Sequence, residues 1–574
     1  MGGGTVLHEA IRLGANVVGI DIDPIPVLQT KATLRLSTAT HKEKVYHRFF
    51  NELRSRMDGL YATTCPACGG QAELQFLLYG LRKQCSCRDV LMLDDLTVRQ
   101  DSPNDVTLCP ACGTVRTGGR HECRTAGTPF LVPKSVKTCG ICGEEFREAL
   151  SVPFVGRYEP VVVVGHCPVH GQFYTPPTEH DCACMANARM QARDLDFTSG
   201  GTFVVPEGPK SSDLLARRIE SFLDLFSPRQ LLYIWHCRDL LSEAPRGDRL
   251  WLAMLVSTSL EFNSLLCGYK GGARGRPGAI RHVFSHHAYS FPYTALENNP
   301  VFSGRTSGTL NRLFEDRIFK AAKWAMRPVE RRMTSNNPTK VSIVGEIDGG
   351  VEVSSWEQLN EGSRRFLLRQ ANSAVAAIPE GIADHVVTDP PYYDSVQYSD
   401  LSNFFRVWLR FLLPGEADWD YDDSGSAVSN AHCSGRQTYL ETLTGIWRTC
   451  RHALKPGGRI VFTYHHWRAE AWADLTMSLL RVGLELVNRY VVASENPISV
   501  HIRQLKALKH DTVLVLRTAR PQIPATEWSP PGSVNKEDSY AFCRDCGSVL
   551  GWLLRSAWDE QRVRGEWRRL LAED

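Results

Sequence analysis

The chain has no long hydrophobic run. No uninterrupted apolar stretch among its 574 residues approaches the ~20 that a membrane-spanning helix needs, which excludes an integral helical membrane protein. A secretory leader is also missing: the opening Met1-Gly2-Gly3-Gly4 has neither a basic nor an apolar region. There is also little excess of either charge. The formal net charge is +3, so bulk electrostatics point to no partner, and any nucleic-acid surface has to be local. With no secretion signal the expected setting is the cytoplasm, where the 18 cysteines stay reduced and spacings of the Cys-x2-Cys kind mean zinc rather than disulfides. What is present is an ordinary globular composition, 43% hydrophobic and 22% charged, in a chain long enough for roughly three or four domains.

The cysteines concentrate between residues 61 and 190. Cys65-x2-Cys68 and Cys85-x-Cys87 have the spacing of a zinc ribbon, in which two tight turns each present two thiolates tetrahedrally. Cys109-x2-Cys112 followed by His121-x-Cys123 reads as a Cys3His site. Cys139-x2-Cys142, Cys167-x2-His170 and Cys182-x-Cys184 give six more ligands, one site with spares or part of two. His180 is equally a surface residue or a ligand. The run from Cys167 to Phe173 resembles the ligand turn of treble-clef zinc modules. Cys543-x2-Cys546 has no second pair nearby and reads either as free thiols or as completing an upstream site.

Two stretches carry further chemistry. At the start, Gly2, Gly3 and Gly4 open a helix whose apolar positions Val6, Ala10 and Leu13 share a face, and Gly14 is placed to end it. A short strand then ends in Asp21. That order lets backbone N–H groups approach a ligand and lets a carboxylate hold ribose hydroxyls. Such a loop follows a β-strand, and that strand is absent here. The chain then starts further upstream, or another polypeptide supplies the strand, or this half is defective. Later, the strand Ala383 to Thr388 runs into Asp389-Pro390-Pro391-Tyr392. Proline fixes φ and removes the N–H, so this turn cannot continue the sheet and has few shapes available. It gathers a carboxylate acceptor, a carbonyl acceptor and a flat ring, a set suited to a planar group bearing an exocyclic amine. A strand-ending turn with a half-buried tyrosine is the structural alternative.

Between these stretches the pattern is mainly helical. Tyr46, Phe49, Phe50, Leu53, Met57 and Leu60 keep a 3.6-residue stripe that reads as core. Ser227-Pro228 reads as N-cap and N1 of a helix. Lys270 to Pro277 is a basic glycine-rich loop suited to phosphates or simply to solvent. Beyond the Asp-Pro-Pro-Tyr turn, Phe404, Phe405, Trp408, Leu409 and Leu412 read as a helix packed on the sheet, and His465-His466 stand at the carboxyl end of a later strand.

Taken together, these residues resemble an amino-directed DNA methyltransferase, in particular the bacterial adenine-specific DNA methylases that contain a zinc ribbon. The family's cofactor motif, Asp-Pro-Phe-x-Gly-x-Gly, survives only as Met1-Gly2-Gly3-Gly4, whereas its catalytic Asp-Pro-Pro-Tyr is complete as Asp389 to Tyr392. Lys455-Pro456-Gly457-Gly458 is similar too. The resemblance implies an α/β, Rossmann-like methyltransferase sheet interrupted by a long zinc-binding and helical insert. Its expected divisions are 1–60 (cofactor half), 61–190 (zinc insert), 191–335 (helical insert, target recognition), 336–520 (catalytic half) and 521–574 (tail). It further implies S-adenosylmethionine bound by Gly2, Gly3, Gly4 and Asp21, a flipped adenine stacked on Tyr392, amino hydrogens accepted by Asp389 and the Pro390 carbonyl, and DNA as partner. Cytosine-N4 methylation and a non-catalytic or split DNA-binding subunit are the alternatives.

Overall fold

The computed structural model describes residues 2–118, 123, 128–272, 276–285, 288–332, 339–390, 392–393, 398–422, 425–426, 436–494, 508–519, 527–528, 532–556 and 558–571. His121 and Pro391 lie outside them. The chain is mixed α/β and divides into two units: residues 1–35, 345–397 and 418–574 form one, residues 36–344 and 398–417 the other. Residues 36–60 go with the cysteine block, and the zinc-rich and helical inserts share one body. Among the described residues no helix is long and apolar enough to cross a membrane.

The first unit holds two sheets. One is parallel, Val17–Asp21 beside Arg365–Gln370 beside Val351–Glu352. The other runs Ala383–Thr388, Leu454–Tyr464, His510–Thr518, Leu484–Ala493, with the first pair parallel and the rest antiparallel. Val17–Asp21 and Ala383–Thr388 are each hydrogen-bonded to a strand on one side alone among the described residues. The open edge is visible in burial, since Val387 is 47% exposed in a strand of valines that favours a buried, two-sided position. The glycine-loop helix Thr5–Arg12 buries Leu7 and Ile11 against Val17, Leu34 and Phe366. Of the stripe Val6, Ala10 and Leu13, Ala10 packs against this cluster, whereas Val6 is 40% and Leu13 76% exposed. Gly14, at φ 92°, does end the helix, its N–H donating to the Ile11 carbonyl. The second sheet is closed off by Arg436–Ala453, Ala469–Val482, Ser539–Leu553 and Glu560–Leu571, which bury Trp447, Trp472 and Trp567.

The second unit is built on the 14-residue strand Gln71–Gln84, the spine of a curled, mixed ten-stranded sheet. Tyr158–Cys167 and Thr294–Asn298 pair antiparallel with it on its two sides. The segment expected to be helical thus also supplies strands. Its helix Pro228–Glu243 starts as read, with Ser227 and Gln230 forming a capping box and Pro228 in the first turn. The Tyr46, Phe49, Phe50 and Leu53 stripe of Ala39–Arg56 is buried, with Tyr46 stacked on Phe314 at 4.0 Å. Helix Tyr398–Leu412 departs from the reading above. It belongs to this unit rather than to the sheet that precedes it in the chain, and its Trp408 lies 4.8 Å from Phe226 and 5.1 Å from Phe203.

Candidate active site and metal centres

The Asp-Pro-Pro-Tyr turn is placed by strand register. Thr388 pairs with Phe462 across the parallel Ala383–Thr388 and Leu454–Tyr464 strands, so Asp389 emerges level with Thr463 at their carboxyl ends, where ligands of open α/β sheets bind. The hydroxyls of Thr463 (2.5 Å) and Tyr392 (2.8 Å) both reach Asp389 Oδ1, and they lie 3.0 Å from each other. Asp389 is otherwise exposed, and among the described residues no hydrogen bond reaches its Oδ2. The Tyr392 ring is half-buried, 4.8 Å from His465 and 5.5 Å from Tyr464. Burial, opposed by the Thr463 hydroxyl and reinforced by Asp511 and Asp389, pushes the Tyr392 phenol above its ordinary range, so it stays a donor. His465 Nδ1 in turn pairs with the Asp511 carboxylate. Tyr393 has φ 54°, a left-handed conformation that costs a side-chain-bearing residue about 1 kcal/mol or more, and its ring is held between Tyr439 (5.2 Å) and His466 (5.7 Å). Thr463 and Asp511 carry no motif. Their roles come from pairing across strands, which the sequence pattern does not display.

The glycine loop sits at the start of Thr5–Arg12. Gly4 is its N-cap at φ 82°, and a Cβ there would lie 2.5 Å from Thr30 Oγ1. Gly2 has φ 50°. The loop therefore requires glycine at Gly4, favours it at Gly2, and leaves the first-turn amides without a side-chain cap. Asp21 ends its strand as read, its Oδ1 accepting the Asp23 N–H at 3.1 Å. These residues fit an anionic or hydroxyl-rich ligand. They lie in the same unit as Asp389.

Three cysteine groups could each hold a metal ion: Cys65, Cys68, Cys167 and His170; Cys85, Cys87, Cys139 and Cys142; and Cys109, Cys112 and Cys123. The pairing expected between Cys65/Cys68 and Cys85/Cys87 does not occur, and those two pairs go to different groups. Four turns share one construction. Cys65, Cys109 and Cys139 each accept the N–H of the glycine four residues on, and Gly69, Gly113, Gly143 and Gly171 are all left-handed, at φ 68°, 72°, 76° and 73°. This conformation curls the turn so that amides face the sulfur. The amides of Cys142 and Ile141 hold the Cys139 thiol down to about 6, and those of His170 and Val169 lower Cys167. The neighbouring thiols push Cys68 and Cys87 the other way, Cys87 up to about 12, so each of these groups mixes depressed and raised thiols. Distances decide between ligation and chance proximity. Zn–S bonds of about 2.3 Å imply ligand–ligand edges of about 3.8 Å in a tetrahedron; here Cys65–His170 is 3.6 Å, Cys68–Cys167 4.0 Å, Cys85–Cys87 3.4 Å and Cys87–Cys139 3.6 Å. Four donors at such spacing fit zinc.

Cys182 and Cys184 join none of these groups among the described residues. They ride on helix Glu179–Ala192, where Cys184 is 3.8 Å from His180 and bonds to the Ala62 carbonyl. Cys543 and Cys546 are core residues of Ser539–Leu553. Burial pushes the Cys543 thiol up to about 12, and it donates to the His510 carbonyl. Comparison with protein-family models, curated proteins and solved structures finds no match.

Proposed function

We propose that the chain transfers a methyl group to the exocyclic amino nitrogen of a DNA base, adenine N6 in the first instance and cytosine N4 in the second. One observation carries the reading: Asp389 stands at the carboxyl end of a parallel strand with one oxygen fixed by Thr463 and Tyr392 and with no hydrogen bond to the other among the described residues. Both hydroxyls can donate to this carboxylate, which keeps acceptor capacity for the base.

Gly2, Gly3, Gly4 and Asp21 would hold S-adenosylmethionine, which when bound supplies an electrophilic methyl group. The target base is flipped out of the duplex, since its amino group is unreachable inside the stack. Tyr392 offers the stacking ring. Asp389 and the Pro390 carbonyl accept the amino hydrogens and draw the nitrogen toward tetrahedral geometry, which frees its lone pair. The methyl group would pass to that lone pair, leaving the cofactor as its neutral thioether, and the surplus proton on nitrogen would leave to solvent. Positioning and electrostatics supply most of the acceleration.

The three cysteine groups, each able to hold a metal ion, are in keeping with the zinc-containing methylases that the sequence resembles. The test is to incubate the chain with unmethylated DNA and labelled cofactor, then digest to nucleosides. Label in N6-methyladenine or N4-methylcytosine is expected; unlabelled DNA contradicts the reading.

A second reading is favoured by the two open strand edges. In it the chain is a DNA-binding subunit that takes up cofactor only when a further strand is added between Val17–Asp21 and Ala383–Thr388. Cofactor titration separates the two. Binding by the chain alone supports the first, and binding restored only by an extended chain or a partner polypeptide supports the second.

A further inference from the structure

A cavity of about 320 Å³ in the second unit lies under the basic glycine loop, lined among others by Asp94, Asp95, Lys134, Lys270, Arg281 and Thr294. Of its acids, Asp94 is paired, accepting Lys134 Nζ at 2.7 Å and the Thr294 N–H at 3.2 Å, while the exposed Asp95 accepts the Thr97 N–H at 2.9 Å and keeps its charge. With Lys134 taken by Asp94, two further cations remain. Strands Gly268–Lys270 and Ala279–Arg281 pair with Gly268 opposite Arg281 and Lys270 opposite Ala279, which sets Lys270 and Arg281 diagonally on one face. Neither has a carboxylate partner among the described residues, and Arg281 Nε is buried without a hydrogen bond. Two like charges side by side are unfavourable unless an anion joins them, and a buried guanidinium N–H without an acceptor costs free energy of its own. Their mutual effect is visible: burial, then Arg281, lower the Lys270 ammonium below its ordinary range.

The backbone beneath them is fixed. A Cβ on Gly271 would lie 2.0 Å from the Thr97 carbonyl, one on Gly272 would lie 3.0 Å from Asp95, and the Gln100 N–H donates to the Gly271 carbonyl at 3.2 Å. The backbone beside Lys270 is therefore preformed, which limits what a ligand has to order to the side chains.

We propose that this cavity is a phosphate-binding site, with Arg281 and Lys270 clamping one phosphoryl group. Phosphate is acceptor-only, doubly matched to the arginine fork, and the charge the pair lacks. The volume exceeds a bare phosphate and falls in the range of small-ligand sites, so the phosphoryl group arrives on a nucleotide unit, free or within a DNA backbone. The site stands apart from methyl transfer and is read as binding, not as activity.

The full chain is titrated calorimetrically with inorganic phosphate, deoxyadenosine monophosphate and a short DNA duplex at several salt concentrations. K270Q, on an exposed side chain, and R281Q are compared with the unsubstituted protein, with matched melting curves. Each variant is expected to bind the monophosphate or the duplex about tenfold or more weakly. For the duplex, the slope of log K against log salt should flatten by about 0.9 per cation removed. Weakening for the monophosphate identifies a free nucleotide as the source; weakening for the duplex alone identifies DNA. Equal binding by all three proteins to every probe, or no binding at all, overturns the site.

Discussion

Glu297 is the group whose loss should cost the second unit most. Its carboxylate is fully buried and saturated: Oε1 accepts Ser227 Oγ (2.8 Å) and Arg229 Nε (2.7 Å), and Oε2 accepts Arg229 Nη2 (2.9 Å) and Tyr79 OH (2.5 Å). Arg229 is buried too, with one further bond to the Leu60 carbonyl and the Tyr61 ring 5.0 Å away. The pair ties the spine of the sheet, through Tyr79, to the start of helix Pro228–Glu243. Glu297→Ala leaves a buried guanidinium without its counter-charge and two hydroxyls without their acceptor, a loss of about 3–5 kcal/mol. At 1.4 kcal/mol per decade that is roughly 10² to 10⁴ in the opening equilibrium. A chain of two units does not unfold in one step, so the assay is amide exchange in Gln71–Gln84 and Thr294–Asn298, which reports local opening. Adding Arg229→Ala should cost less than the sum of the single losses by about 1.5 kcal/mol or more, because the stranded charge is removed with its partner. Acid should act in the same way. Burial alone would raise the Glu297 carboxyl, but Arg229 and the hydroxyl donors hold it below its ordinary value. A depressed folded value means that the contribution is present above the unfolded value of about 4.3 and is lost as pH falls through the folded one. Exchange in Glu297→Ala within a factor of about five of the unsubstituted protein, less than ~1 kcal/mol, would refute the reasoning.

Two further outcomes follow from the sites. Metal analysis should return three zinc ions per chain, and replacing both Cys87 and Cys139 by serine should lower that to two while the Cys65–His170 group keeps its metal; a folded, metal-free protein would overturn all three centres. Thr463→Val removes one of the two hydroxyls that fix Asp389 and should lower kcat about tenfold or more with little change in KM, whereas Thr463→Ser should restore it; equal activity in all three would take Thr463 out of the site.

What was legible in the sequence was local. The Ser227-Pro228 start, the strand running into Asp389 and the tight Cys-x2-Cys turns are each set by residues a few positions apart, where backbone chemistry leaves few choices. What was not legible was which local pieces meet. Cys65 finds His170 rather than Cys85 because an antiparallel sheet folds Tyr158–Cys167 back along Gln71–Gln84, and only that register brings two glycine-curled turns to one point. In the first helix, Val6-Ala10-Leu13 and Leu7-Ile11 are both acceptable apolar stripes. Tertiary packing against Val17 and Phe366 chose the second. The aromatic helix at Phe404 and Trp408 was recognisable as buried, but its amphipathic pattern says nothing of which body buries it. Glu297 and Thr463 were invisible, because a charged residue in a strand and a threonine near a strand end are both ordinary until their partners arrive from elsewhere in the chain.

The central claim is that Asp389 accepts the amino group of a DNA base during methyl transfer. The measurement that tests it most directly is labelled-methyl incorporation into unmethylated DNA by the unsubstituted protein and by Asp389→Ala, with DNA affinity measured in parallel. The account predicts labelled N6-methyladenine or N4-methylcytosine from the first, a loss of about a thousandfold or more from the second, and equal duplex binding by both. Undiminished incorporation by Asp389→Ala at equal DNA affinity would contradict it.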